Sequence, residues 1–262
     1  MMYHFPLINR LLSFNRLTKR HTDFLYVFLK GGIYIIEISL CMIVKDEEKV
    51  LKRCLQNIQN VVDEIIIVDT GSSDNTKQIA SEFTDKIYDL KWKDDFSYAR
   101  NYSLSKATKD YIMWLDADDI INQTNQQKLI ELKNTLNKNV DIVMMKYKMG
   151  KNNDCIFYRE RLLKNNKTHF FVNAIHETIP LIGNLMYSDI TILHQKEKIN
   201  DPKRNLKIYQ NMINHKTKLN TRDLFYFARE LWYNQYYYLA IKYFNKFLIQ
   251  NDAWVKIKLK LV

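Results

Sequence analysis

The feature that most restricts what this chain can fold into is a set of short runs that are apolar from end to end. They are ISLCMIV at residues 38–44, EIIIVD at 64–69 and DYIMWLD at 110–116. A strand with one wet face alternates apolar and polar side chains, so runs like these need cover on both faces. Segments with helical spacing lie between them. Residues 47–60 place Val50, Leu51, Cys54, Leu55 and Ile58 on one face, and residues 97–107 and 125–136 also read as helices. Further strands are expected over 85–90 and 141–147, and a short helix after TGSSD that Ser73 or Asp74 would cap. The expected class is α/β, a Rossmann-like and mostly parallel sheet with helices on both faces. Ligands of such sheets gather at the carboxyl ends of the strands.

The ends of the chain break this rhythm. Residues 1–37 have neither a helical nor a strand period and are expected to be an atypical extension. Lys30, Gly31 and Gly32 could be encoded by a ribosome-binding sequence, with the native start just after it. The α/β domain is expected over 38–200. After Gly150 it dissolves into shorter apolar pieces near 155–163, 169–172 and 189–194, an irregular second half. Residues 201–262 read as a helical tail. Ala228 and Ala240 stand twelve apart among Leu224, Phe227, Leu231, Phe244 and Phe247, as in one tetratricopeptide-type hairpin. A lone hairpin cannot bury its own face, so it must pack on the domain, pair with a second copy as a homodimer, or continue into further repeats. The alternation of VKIKLKLV at 255–262 suits a truncated tail.

Net charge does not point to nucleic acid. The chain carries +11, but residues 39–200 hold 23 basic and 23 acidic side chains, and the surplus lies in the terminal segments. Cys41, Cys54 and Cys155 lack metal-ligand spacing, and Cys41 and Cys54 fall on apolar faces. Buried, reduced thiols suit a cytoplasmic location. The apolar stretch 24–36 is interrupted by Lys30, Gly31 and Gly32, too short for a transmembrane segment and without a signal-peptide cleavage site.

Polar residues follow the predicted strands: Lys45, Asp46 and Glu47 after the first, Asp69 to Asp74 after the second, and Asp116, Asp118 and Asp119 after the third of the apolar runs. The first two groups could be solvated turns and helix caps. The third is harder to explain that way, because three carboxylates within four residues repel one another unless something compensates. A hard divalent cation, Mg²⁺ or Mn²⁺, is the natural partner, and it could bridge two phosphates.

SLCMIVKDEE, IIIVDTGSSDNT, DFSYARN at 95–101 and WLDADD, in this order and spacing, resemble the nucleotide-sugar domain of family-2 inverting glycosyltransferases, which have the GT-A fold. They are most similar to bacterial members with a tetratricopeptide tail, including glycocin S-glycosyltransferases. The resemblance runs from about residue 38 to about 254. It implies a UDP-sugar donor, with Val44 and Asp69 against the uracil, Arg100 reaching the donor, Asp116 on the ribose or metal and Asp118 on the metal. Asp46, Glu47, Gly71, Ser72, Asp74 and Asn101 complete the expected donor side. RLLKNNKTHFFVNAIHE at 161–177 is similar to the acceptor-side segment, so Arg161, His176 and Glu177 are expected to line the site and His194 to be a further metal ligand. Glu177 is the first candidate general base and His176 the second, because direct displacement needs the acceptor O–H or S–H deprotonated. The acceptor would be a peptide side chain or a glycan. This chain departs from the family in having Asp46 where Asn is common, in lacking a Gly before His-Glu, and in its short tail.

Two enzyme classes with similar sheets fit less well. A sugar-nucleotide pyrophosphorylase needs a Gly-rich basic loop where this chain has VKDEE, and a haloacid-dehalogenase phosphatase expects a hydroxyl residue where Asp119 and Ile120 stand. A non-enzymatic alternative is a peptide-binding repeat protein with a decayed catalytic domain.

Overall fold

The computed structural model describes residues 35–149, 155–197 and 201–254. Nearly all of the extension expected over 1–37, together with Gly150 and the tail at 255–262, lies outside them. Strand β1 (Ile38–Val44) pairs in parallel with β2 (Glu64–Asp69) on one side and β4 (Tyr111–Trp114) on the other, and β3 (Ile87–Asp89) lies parallel outside β2. Both faces are covered, as the apolar runs require. Ile38, Leu40, Met42 and Val44 join one apolar cluster with Leu51, Leu55 and Ile58 of α1 (Leu51–Ile58). Cys41 and Trp114 face the other way, against Leu104 of α3 (Phe96–Ser105). The short α2 (Thr76–Ser81) and α4 (Gln123–Thr135) complete the covering layer.

Beyond β4 the sheet is mixed. Strand β7 (Cys155–Lys164) is antiparallel to both β4 and β6 (Ile142–Met149), while β8 (Leu185–His194) runs parallel to β6 and holds the two-residue β5 (Asp119–Ile120) at its end. The order is β3-β2-β1-β4-β7-β6-β8-β5. This half is more regular than the sequence suggested. Its period was hidden because the outer part of β7 leaves the covered area, exposing Ile156, Phe157 and Tyr158 in succession.

The last three helices are α5 (Arg204–Asn214), α6 (Thr221–Tyr233) and α7 (Tyr237–Leu248). Ala228 and Ala240 are fully buried where α6 and α7 form a hairpin. The helices also pack on the sheet domain: Leu206, Tyr209, Phe227 and Leu231 share a cluster with Ile175, Trp92 and Phe96. The open face of the expected hairpin is thus partly covered by the domain itself.

One buried charge ties the parallel half together. Glu64, at the start of β2, accepts from Lys86, from the Ser39 hydroxyl and from both the backbone and the hydroxyl of Thr108. Burial alone would raise its carboxyl, but these donors outweigh it and hold the group at about 2. Because that lies below the unfolded value of about 4.3, the stabilisation is complete above pH ~4.3 and is lost as pH falls toward 2. Glu64→Gln is expected to cost about 1–3 kcal/mol at neutral pH and to flatten the acid limb of a denaturation curve. Urea unfolding at pH 7 and pH 3 checks both.

Candidate active site

The loops after β1, β2 and β4 and the end of β8 converge on one cleft of about 970 Å³. Its floor is the acidic turn after β4. Asp116 and Asp118 line the cleft, whereas Asp119 turns inward and is fully buried. The Asp119 carboxylate accepts from the Tyr147 hydroxyl at 2.8 Å, from Arg161 at 3.0 Å and from the backbone N–H of Asp116 at 3.0 Å. It therefore shapes the turn from behind. Arg161, expected in the cleft, also stands behind it, stacked 3.7 Å over Trp114 and 4.3 Å over Tyr147. Its Nη1 donates to the Trp114 carbonyl as well as to Asp119.

His194, the last residue of β8, is opposite Asp119 in the ladder and reaches the same turn. Its Nδ1 lies 3.3 Å from an Asp118 oxygen and 3.4 Å from an Asp119 oxygen. This buried nitrogen makes no well-aligned hydrogen bond among the described residues. Asp118 and then Asp119 push the imidazole up to about 10. Ligand atoms from Asp118, Asp119 and His194 all lie within 4.8 Å of one another, an oxygen and nitrogen donor set suited to a divalent cation. Since Asp119 is committed to Tyr147, Arg161 and the turn, the members with capacity to spare are Asp118 and, once Nδ1 gives up its proton, His194.

Arg100 projects from the middle of α3 into the cleft. Its Nη2 donates to Asp116 at 2.6 Å and its Nε to Glu177 at 2.7 Å, and the guanidinium packs against the rings of Trp114 and Phe171. The local acids that might have paired with it are used elsewhere. Asp95 caps α3 by accepting from the Tyr98 N–H, and Asp94 accepts from Trp92 and Asn211. Burial works against the charge of Asp116, but Arg100, with Arg161 and Arg159, holds its carboxyl well below the usual carboxylate range. Asn101 faces away from the cleft and braces Phe171, donating to its carbonyl and accepting from its N–H.

Another part of the cleft is framed by the first two loops. Val44, Asp46, Glu47 and Thr70 line it. Asp46 has a positive φ of 51° and accepts from the Ser73 backbone N–H, while its own N–H donates to the Ser72 hydroxyl. Asp74 accepts from the N–H of Glu48 and from Thr76. These contacts lock the two loops to each other. Asp69 is buried just beneath them: its Oδ1 accepts from the N–H groups of Gly71 and Ser72, and its Oδ2 has no hydrogen-bond partner among the described residues. Gly71 has φ of 108°, which a side chain would strain.

The opposite wall was not legible in the sequence. Arg204 and Asn205 of α5 and Arg222 and Tyr226 of α6 line the cleft beside His176 and Glu177. The one available signal was the i, i+4, i+8 spacing of Arg222, Tyr226 and Glu230, which puts three polar side chains on one face of α6.

The model of glycosyl transferase family 2 matches residues 39–230. Among curated proteins, a TPR repeat-containing protein of Synechococcus elongatus is 49% identical over 88 residues, 34% of this chain and 22% of that protein. The SPbeta prophage-derived glycosyltransferase SunS of Bacillus subtilis is 38% identical over 101 residues, 38% of this chain and 24% of that one. The matches thus span about a quarter of the length of these two relatives. A crystal structure of glucosyl-3-phosphoglycerate synthase from Mycobacterium tuberculosis in complex with phosphoglyceric acid aligns with TM-score 0.51 at 14% identity. The alignment covers 71% of this chain and 81% of that one, a likeness of fold.

Proposed function

The chain belongs to glycosyl transferase family 2 and has a GT-A-like fold, and from that premise we propose that it transfers a hexose from a UDP-sugar to a peptide side chain or glycan, with inversion and with a divalent cation. The observation that carries this reading is the placement of Asp116, Asp118 and His194 in a single cleft with His176 and with Arg100, whose guanidinium bridges Asp116 to Glu177. Residues 38–200 form the catalytic domain in this reading, and the helices after Asp201 complete its cleft.

Asp118 and His194 would hold Mg²⁺ or Mn²⁺, which when bound neutralises charge on the departing diphosphate. The uracil would sit against Val44 with its N–H toward Asp69 Oδ2, the acceptor that lacks a donor among the described residues. Arg100, already flanked by two carboxylates, sits where a guanidinium can follow charge from Asp116 toward the donor. Inversion fits a site in which one base removes the acceptor proton and the anomeric carbon is attacked directly. That base comes from the loop holding His176 and Glu177. Asp46, Glu47, Gly71, Ser72 and Asp74 shape the nucleotide loops, while Arg161 and Asn101 act as supports behind the contact surface.

Titration calorimetry with UDP tests the reading. In Mn²⁺ the Kd is expected to be at least about tenfold lower than in EDTA, since the cation joins carboxylates to diphosphate. Absence of UDP binding in both buffers would remove the nucleotide-sugar assignment. Among the described residues no helix is long and apolar enough to cross a membrane.

A further inference from the structure

Resting on the transferase reading, we infer that the general base is His176, oriented by Glu230 of α6, so that the helical segment supplies half of a carboxylate–imidazole pair. His176 Nε2 lies 3.2 Å from Glu230 Oε1. The imidazole stacks on Tyr226 with ring centroids 4.0 Å apart and planes 19° from parallel. Arg222 donates from Nε and Nη2 to the His176 carbonyl at 3.2 and 3.1 Å. One face of one helix thus grips both the ring and the main chain of a single residue. That residue has a φ of 51°, a conformation a non-glycine residue holds only when its surroundings enforce it.

A carboxylate can only accept, so Nε2 carries a proton and Nδ1 is the remaining basic atom of the ring. Asn205 donates to the same Glu230 oxygen at 3.1 Å and completes its shell. Burial works against the Glu230 charge, yet His176 and Asn205 hold its carboxyl below the usual range. Glu230 is therefore an anion held against the ring, the arrangement that stabilises an imidazolium as it forms.

Glu177 is less suited to the same task. It is the Nε partner of Arg100 at 2.7 Å, and its side chain is 14% exposed. Using it as the base would strip Arg100 of one of its two carboxylate partners. In the step inferred here, the acceptor O–H or S–H proton passes to His176 Nδ1 and the freed electron pair forms the new bond to the anomeric carbon. The bond from that carbon to the diphosphate oxygen breaks with its electron pair on UDP. Glu230 is a positioning residue that compensates the new imidazolium.

The test measures UDP release from UDP-glucose and Mn²⁺ by the full chain, with water as acceptor. His176→Ala is expected to lower kcat by about 10²–10⁴-fold and to regain part of the rate when imidazole is added. Glu230→Gln is expected to lower kcat about tenfold or more, with the KM for UDP-glucose and the Kd for UDP within about twofold of the parent. A Glu230→Gln protein with unchanged kcat, or one whose loss is matched by weaker UDP binding, overturns the pair. So does a His176→Ala protein that retains turnover while Glu177→Gln loses it. If the parent chain neither binds UDP nor releases it from UDP-glucose, the transferase reading falls and the pair with it, an outcome distinct from silence of the variants alone.

Discussion

Asp118→Ala is expected to lower UDP release from UDP-glucose by about 10³-fold or more while lowering the melting temperature only slightly. Asp118 lines the cleft, its side chain is 18% exposed, and among the described residues its close ionic neighbour is His194. Removing it takes one negative charge out of a turn that holds three, and the fall in repulsion partly offsets the loss of the nearer of the two carboxylates beside His194, with Asp119 remaining as the other. The catalytic loss comes from the cation, which would keep a single imidazole ligand beside Asp116. The Mn²⁺ dependence of UDP affinity should disappear in the same variant. Asp119→Asn should behave differently, because Asp119 organises Tyr147, Arg161 and the Asp116 N–H. It should destabilise by a few kcal/mol, the scale for breaking a buried charge network. Calorimetric melting alongside activity separates the two, and Asp118→Ala with parental turnover would show that the ligand set is wrong.

How far the sequence could be read depended on how local the causes were. β1, β2 and β4 were legible because a strand buried on both faces must be apolar throughout, a property of six or seven consecutive residues. The acidic turn was legible because repulsion among neighbours is also local. β5 was not, since a two-residue strand formed by Asp119 and Ile120 exists only because β8 lies against it. Nor was the assignment of the three carboxylates to different roles. Asp119 becomes the inner one because Arg161 and Tyr147, 42 and 28 residues away, meet it from β7 and β6. The cleft wall contributed by α5 and α6 is the extreme case. Arg222 and Glu230 touch His176 across 46 and 54 residues, and nothing near position 176 signals them. The helices that looked like an appended hairpin turn out to border the site.

The same long-range logic makes Arg100→Met the other substitution of large effect. Its guanidinium, 9% exposed, is shared by Asp116 and Glu177, which come from separate loops. Methionine fills the space between Trp114 and Phe171 but leaves Asp116 and Glu177 without the guanidinium they share. The expected cost is about 3 kcal/mol of stability, which for a chain of this size lowers the melting temperature by roughly 6–12 °C. UDP release should fall by about 10²–10³-fold as well. Arg100→Lys should recover only part of either loss, because one ammonium on a flexible stem cannot reproduce a fork that reaches Asp116 from Nη2 and Glu177 from Nε. The double variant Arg100→Met with Glu177→Gln discriminates between causes. If the instability comes from the stranded Glu177 charge, the double variant melts above Arg100→Met alone while turnover stays low. Strictly additive losses would mean that Arg100 and Glu177 are not coupled, and the bridge joining the acidic turn to the His176 loop would have to be abandoned as an organising contact of the cleft.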